Sequence, residues 1–277
     1  MPPSIDHEAG VQTKDTLFFQ EHTLSGRLFL PISTNQNQKL PLIIYIHGGA
    51  FCVQTPFSPT YYGHLASLVK NGNVLVVVIP YRKAPEHPLP IAYDDACDAV
   101  KWVASHVNRD GPETWINQHA DFEKMFLVGD SAGANITHNV GIRFGLDEGL
   151  LGVKIAGMVL VHPFFGKSDD QRSKLLEFLF PTLEGTSDPR INPVGAGVDL
   201  RKLGFLSKIL VCVAGADQKY KDRGVSYYEA VKNSGWGGVV EIVETEGEDH
   251  GFHLFNPYCD RAKRLTEQIV SFINQQS

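Results

Sequence analysis

Residues Met125–Val128 form a short apolar run that leads directly into Gly129-Asp-Ser-Ala-Gly133, and a helical pattern then runs to about Phe144. A strand that turns into a helix over five residues needs small side chains, because the turning backbone is strained and the flanking elements pack closely. This G-x-S-x-G arrangement therefore constrains fold and chemistry together. It requires a sheet whose strands end on a common rim, and it leaves the Ser131 hydroxyl exposed there. On its own the pentapeptide is also an ordinary glycine- and serine-rich loop, so its weight depends on what surrounds it.

The surroundings alternate. Short amphipathic strands are expected near Thr16–Gln20 and Ser25–Leu30, and an apolar strand at Leu40–Ile46. Helical spacing over Tyr61–Lys70 stops at Asn71-Gly72, a helix-end signal. Val74–Ile79 is rich in β-branched residues and reads as a strand buried on both faces. A helix over Ile91–Val107 follows. Beyond the nucleophile turn come strands at Ile155–Val161, Ile209–Ala214 and Val239–Val243, with helices at Gly224–Asn233 and Arg261–Ile273. Strands alternating with helices predict an α/β fold, a mostly parallel sheet with helices on both faces, and the first two strands form an antiparallel extension at one edge. Phe165–Pro193 breaks the alternation with an apolar helix near Leu175–Phe180. The expected organisation is one domain over 1–277, with a short N-terminal segment 1–15 and a small cap inserted at about 166–193.

Composition narrows the function classes. In 277 residues, 43% hydrophobic content suffices for a sizeable core and excludes disorder. The net charge of −6 carries no basic block, which points away from nucleic acid and anionic membranes. The longest uninterrupted aliphatic run, Val74–Ile79, is far too short to span a bilayer. Asp6, Glu8, Lys14 and Asp15 leave no room for an apolar signal segment. Cys52, Cys97, Cys212 and Cys259 lack CxxC spacing, and Cys97 and Cys212 read as core residues. A reducing, cytoplasmic setting is expected. The sequon Asn135-Ile-Thr137 falls in a buried helix and reads as chance.

A nucleophilic serine needs an oxyanion site, a base and an acid. His47-Gly48-Gly49-Ala50 follows a strand, and its small residues let backbone N–H groups turn toward a developing oxyanion; the expected donors are Gly48, Gly49 and Ala132. His47 itself reads as structural. In the order serine, acid, histidine, Asp217 follows the strand Ile209–Ala214, and His250 follows Val239–Val243. Each would stand on the rim that carries Ser131. Two neighbours compete: Asp222, read as the N-terminal cap of the next helix, and His253, read as a locally packed residue. Glu248, Asp249, His250 and His253 do not match a metal-binding helix signature, so no metal is expected. Gly195-Ala-Gly197 lacks the third glycine and the preceding strand of a nucleotide site.

With these residues in place, the chain resembles plant carboxylesterases of the hormone-sensitive-lipase-like branch of the α/β-hydrolases. The resemblance rests on His47-Gly-Gly-Ala-Phe-Cys52, Tyr81-Arg-Lys-Ala-Pro-Glu-His-Pro-Leu-Pro90, Gly129-Asp-Ser-Ala-Gly-Ala-Asn135, His162-Pro-Phe-Phe165, Asp188-Pro-Arg-Ile-Asn-Pro193, Ser234-Gly-Trp236 and Glu246-Gly-Glu-Asp-His-Gly-Phe252. It implies a serine esterase acting on small-molecule esters without a cofactor. It also implies a triad of Ser131, Asp217 and His250 with an oxyanion hole of Gly48, Gly49 and Ala132. Gibberellin receptors look similar but lack the histidine that this chain has at 250. Legume-type 2-hydroxyisoflavanone dehydratases share the His-Gly-Gly-Ala-Phe-Cys stretch and carry threonine at the nucleophile position, while others of that kind keep serine, so a lyase is the second reading. Residues 2–15 resemble a segment that in the family follows a further N-terminal stretch. The segment after Gly166 is shorter than common, so a thin cap is expected. Ala50 replaces a third glycine, and its methyl group implies that its N–H is not the closest donor. The expected substrate pocket is apolar, lined by Phe51, Phe165 and the cap helix, Leu179 included.

Overall fold

The computed structural model describes residues 2–36, 38–146, 153–167, 174–179, 181 and 188–275. Strands β1 (Ile5–Asp6), β2 (Val11–Phe19) and β3 (Leu24–Pro31) come first, then β4 (Leu40–Ile46), α1 (Pro59–Gly72) and β5 (Leu75–Val78). Helices α2 (Ile91–Ala104) and α3 (Thr114–His119) precede β6 (Ala120–Asp130), α4 (Ala132–Leu146), β7 (Ile155–Val161) and α5 (Lys174–Leu179). The chain continues with β8 (Lys208–Ala214), α6 (Lys221–Asn233), β9 (Val239–Thr245), α7 (Phe252–Phe255) and α8 (Asp260–Asn274).

The strands form one 9-stranded sheet in the order β1-β2-β3-β5-β4-β6-β7-β8-β9. Strands β4 to β9 run parallel, and β1 to β3 extend one edge in antiparallel fashion, as the alternation of elements predicts. Successive strand residues face opposite sides. Leu42, Ile44, Leu127, Leu160 and Val211 pack on one face with Val100 of α2, Ile136 of α4 and Tyr227 of α6. Ile43, Tyr45, Val76, Val128 and Leu210 pack on the other with Leu65 of α1 and Ile269 of α8. Burying both faces explains why the central strands are apolar throughout rather than alternating.

Boundaries differ from expectation where hydrogen bonds outweigh pattern. Strand β2 starts five residues early because Val11 pairs with Pro31 and the ladder runs from there. Helix α2 stops at Ala104, and the His106 ring beyond it accepts the Glu113 N–H through Nε2 at 2.9 Å. That bond fixes the turn that starts α3, an unexpected helix whose N-terminus is capped by the Glu113 carboxylate. Of the expected cap helix, Lys174–Leu179 is described; Phe180 and the side chains of Leu175 and Leu176 lie outside the described residues. Asn135 is fully buried, donating to the carbonyls of Phe164 at 3.0 Å and Arg190 at 2.8 Å, so its sequon serves packing. Cys97 and Cys212 are buried free thiols. Among the described residues no helix is long and apolar enough to cross a membrane.

Candidate active site

Ser131 stands between β6 and α4 with φ at 51°, a left-handed conformation that costs a non-glycine residue about 1–3 kcal/mol. Hydrogen bonds hold it there. Its N–H donates to the Val161 carbonyl at 2.8 Å, and its own carbonyl accepts from Phe164 at 3.0 Å and Asn135 at 3.1 Å. Gly133 is obligatory because a Cβ there would strike the Ile46 carbonyl oxygen. Helix α4 thereby packs directly against the end of β4, which brings the His47-Gly-Gly loop alongside the serine.

Ser131, Asp217 and His250 come from the C-terminal ends of β6, β8 and β9 and meet. His250 Nε2 lies 2.9 Å from Ser131 Oγ, and Nδ1 lies 2.7 Å from Asp217 Oδ2. Asp217 Oδ1 accepts the backbone N–H groups of Lys219 and Tyr220 at 3.1 and 2.9 Å. Burial pushes the Asp217 carboxyl up, but the Tyr220 N–H, the His250 hydrogen bond and charge, and the Lys219 N–H outweigh it and hold the group below its ordinary range. An ionised Asp217 places the proton of the His250 ring on Nδ1 and leaves Nε2 free to accept from a hydroxyl. Asp222 sits in the first turn of α6 but does not cap it; Asp217 itself accepts the N–H groups that enter that helix. His253 lies in α7, fully buried, as expected of a packing residue.

The loop after β4 corrects one expected donor. Gly48 N–H is already engaged, donating to Tyr61 Oη at 2.8 Å and Asp130 Oδ1 at 3.1 Å, so it is not free to donate to an oxyanion. Gly48 is glycine because a Cβ would lie 2.5 Å from Asp130 Oδ2 and 3.1 Å from the Ser131 Cβ. Among the described residues, the N–H groups of Gly49, Ala50 and Ala132 have no acceptor. Ala50 and Phe51 both take positive φ, at 52° and 62°. Ala50, despite its methyl group, has the unengaged N–H among the described residues that Gly48 lacks. His47 is structural, as expected: its ring stacks on Tyr81 at 4.4 Å, its Nδ1 lies 2.9 Å from the Gly48 carbonyl, and burial pushes its pKa down to about 4.

The side chains expected to line the pocket, Phe51, Phe165 and Leu179, are all buried. Phe51 packs edge-on against Tyr93 and Phe164, Phe165 lies against His138 and Tyr227, and the Leu179 carbonyl accepts the Leu89 N–H at 3.0 Å. The Tyr220 ring lies 5.0 Å from that of His250 and 5.2 Å from Phe164. Its place three residues after Asp217 is the available sequence signal. A cavity of about 700 Å³, lined among others by Leu24, His47, Gln54, Tyr81 and Lys83, touches the His47-Gly-Gly loop but includes none of Ser131, Asp217 and His250.

Comparison with known proteins agrees with this architecture. A family model described as the alpha/beta hydrolase fold matches residues 43–254. The chain is 43% identical to probable carboxylesterase 5 of Arabidopsis thaliana, over 99% of this chain and 90% of that protein. It is 42% identical to a 2-hydroxyisoflavanone dehydratase of Glycyrrhiza echinata, over 99% of this chain and 88% of that one. The crystal structure of esterase LipW from Mycobacterium marinum superposes with a TM-score of 0.78 at 20% identity, covering 96% of this chain and 82% of its own. Together with the parallel sheet and the serine turn at the end of β6, these matches establish that the chain belongs to the alpha/beta hydrolase fold family.

Proposed function

We propose that the chain is a serine carboxylesterase that cleaves small carboxylic esters through an acyl-enzyme. The observation that carries this reading is the continuous chain from Ser131 Oγ to His250 to Asp217, at 2.9 and 2.7 Å. Ser131 Oγ attacks the ester carbonyl as His250 Nε2 takes its proton. Asp217 fixes the ring tautomer and stabilises the imidazolium. The carbonyl oxygen becomes an oxyanion held by the N–H groups of Gly49, Ala50 and Ala132, each such donor being worth ~10²–10³ in rate. Collapse breaks the bond to the alcohol, which leaves with the proton from His250. A water then attacks the acyl-enzyme, gives its proton to His250, and the carboxylic acid departs as Ser131 is reprotonated. No step calls for a cofactor. The names of the Arabidopsis relatives support the ester chemistry, and the four free cysteines support a cytoplasmic setting.

Hydrolysis of p-nitrophenyl acetate by the wild type and by Ser131→Ala tests the reading. Turnover that survives the substitution rejects it, since loss of the nucleophile leaves only binding and oxyanion contacts.

One observation favours a second reading. The likeness to the Glycyrrhiza dehydratase suggests a lyase in which the same donors polarise a ketone and His250 abstracts a proton. Brisk ester cleavage with no dehydration of a 2-hydroxyisoflavanone excludes it. Labelling of Ser131 by a fluorophosphonate excludes a receptor that binds without turnover, because a receptor needs no activated serine.

A further inference from the structure

His250 lies on a loop, yet its ring must hold two hydrogen bonds at fixed geometry. Its own N–H bonds locally, to Asp249 Oδ1 at 2.7 Å, on the exposed side. The other anchor is long-range and buried: the Gly251 N–H donates to Nδ1 of His162 at 3.1 Å. His162 follows β7 and is tied to the sheet, its N–H donating to the Cys212 carbonyl of β8 at 2.8 Å. Its backbone is left-handed, with φ at 47°, and its ring lies 5.7 Å from that of His250 and 5.6 Å from that of Phe252.

We propose that His162 is a positioning residue for His250, acting through the Gly251 N–H; the proposal rests on His250 being the base. The argument is one of cost. Accepting through Nδ1 puts the ring proton on Nε2, and that atom is buried with no partner among the described residues. A buried unsatisfied N–H carries a desolvation penalty that an apolar ring of similar shape would not itself incur. Packing alone therefore gives no reason for histidine here. What the imidazole supplies and a phenyl ring does not is the acceptor one residue from the base. It supplies that acceptor throughout the working range, since burial, first, and the neighbouring His250 keep it neutral down to about pH 3. Displacement of a catalytic group by about 1 Å can cost ~10²-fold in rate, so an anchor of this kind has a measurable effect.

The test compares His162→Phe, which keeps a ring without the acceptor, with His162→Asn, whose Oδ1 stands where Nδ1 stood. Both are assayed on p-nitrophenyl acetate beside wild type and Ser131→Ala, with thermal midpoints. The expected result for His162→Phe is a kcat lower by ~10–100-fold with KM within threefold, and slower labelling of Ser131 by a fluorophosphonate in parallel. His162→Asn should recover most of both. Full kcat in His162→Phe overturns the proposal, and so does equal loss in the two variants, which would mean that ring volume matters and the acceptor does not. If His162→Phe fails to fold, ¹⁵N NMR of the wild type decides: an unprotonated Nδ1 supports the proposal and a protonated one overturns it. Hydrolysis by Ser131→Ala at the wild-type rate would remove the esterase reading and the proposal with it. An inactive Ser131→Ala beside a fully active His162→Phe would remove the positioning role alone.

Discussion

Asp130 and Gly48 are bonded across the site, the carboxylate Oδ1 accepting the Gly48 N–H at 3.1 Å, so the residue before Ser131 anchors the loop that faces it. Tyr61 closes the arrangement. Its hydroxyl oxygen accepts the same N–H at 2.8 Å while its proton goes to Asp130 Oδ2 at 2.9 Å, and Tyr45 donates to Oδ1 at 3.0 Å. Burial pushes the Asp130 pKa up to about 6, against the hydrogen bonds from Tyr61, Tyr45 and Gly48. Tyr61→Phe removes two of these bonds and leaves Oδ2 without a donor among the described residues. The expected outcome is a loss of ~1–3 kcal/mol in urea unfolding together with reduced kcat, because Gly49 and Ala50 follow Gly48 directly. A variant with wild-type stability and kcat would show that the loop is held by other contacts.

The acid assignment separates cleanly from its competitor. Asp217→Asn offers an amide where His250 needs a carboxylate, which permits the wrong ring tautomer. In serine proteases the corresponding change lowers kcat by ~10⁴, and a loss of ~10³–10⁴ is expected here. Asp222→Asn, in the first turn of α6 and exposed, should leave kcat within twofold. Steady-state kinetics on one ester substrate check both. A large loss in Asp222→Asn with a small one in Asp217→Asn would reverse the assignment.

The parts of this site that were legible in the sequence are those set by topology. Ser131, Asp217 and His250 each follow a strand of a parallel sheet, so strand recognition alone places them on one rim. Hydrophobic runs located the central strands for the same reason, since burial on both faces leaves a continuous apolar signature. What depended on long-range partners stayed hidden. Gly48 looked like a donor because its neighbours are small, but its N–H is taken by Tyr61 and Asp130, far apart in the chain. Phe51 and Phe165 read as pocket walls because they flank the site; the contacts of their rings with Tyr93 and Tyr227 carry no sequence signal. Helix α3 has only six residues, too few for a periodic pattern, and rests on the Glu113 cap and its bond from Lys14 at 2.7 Å.

Lys208 is a charged residue at the start of an apolar strand, yet it is only 6% exposed. Its Nζ donates to the carbonyls of Phe272 at 2.6 Å and Gln275 at 2.9 Å, and lies 4.9 Å from the centroid of the Phe272 ring. It thereby satisfies carbonyls at the C-terminal end of α8, where a cation also complements the helix dipole. Lys208→Met keeps the length and apolar stem of the side chain but orphans both carbonyls. A loss of ~1–3 kcal/mol in urea unfolding is expected, with kcat and KM unchanged because the position is remote from the triad. Unaltered stability would mean that those carbonyls find water equally well.

Buried neutral histidines make the fold acid-sensitive. Burial pushes His47 and His64 down to about 4 and His138 and His162 to about 3, and His253 lies well below its ordinary value. The sign follows from linkage. As pH falls through 6.5 the unfolded chain takes up protons that the folded chain refuses, so stability present above 6.5 is lost on acidification, by ~1.4 kcal/mol per pH unit for each such group. Asp130 acts in the opposite sense: its pKa is raised to about 6, so it favours the folded state as pH falls from 6 toward 3.8. One such group opposes the five histidines, and the net expectation is a thermal midpoint that drops steadily from pH 7.5 to pH 5. His253 provides the sharpest check, because both its ring nitrogens are buried without partners among the described residues. His253→Phe removes an acceptor and a donor that bond to none of the described residues, along with one refused proton. Its midpoint should equal or exceed the wild type at pH 7.5 and fall less steeply toward pH 5. A slope identical to that of the wild type would mean that His253 takes up its proton without unfolding.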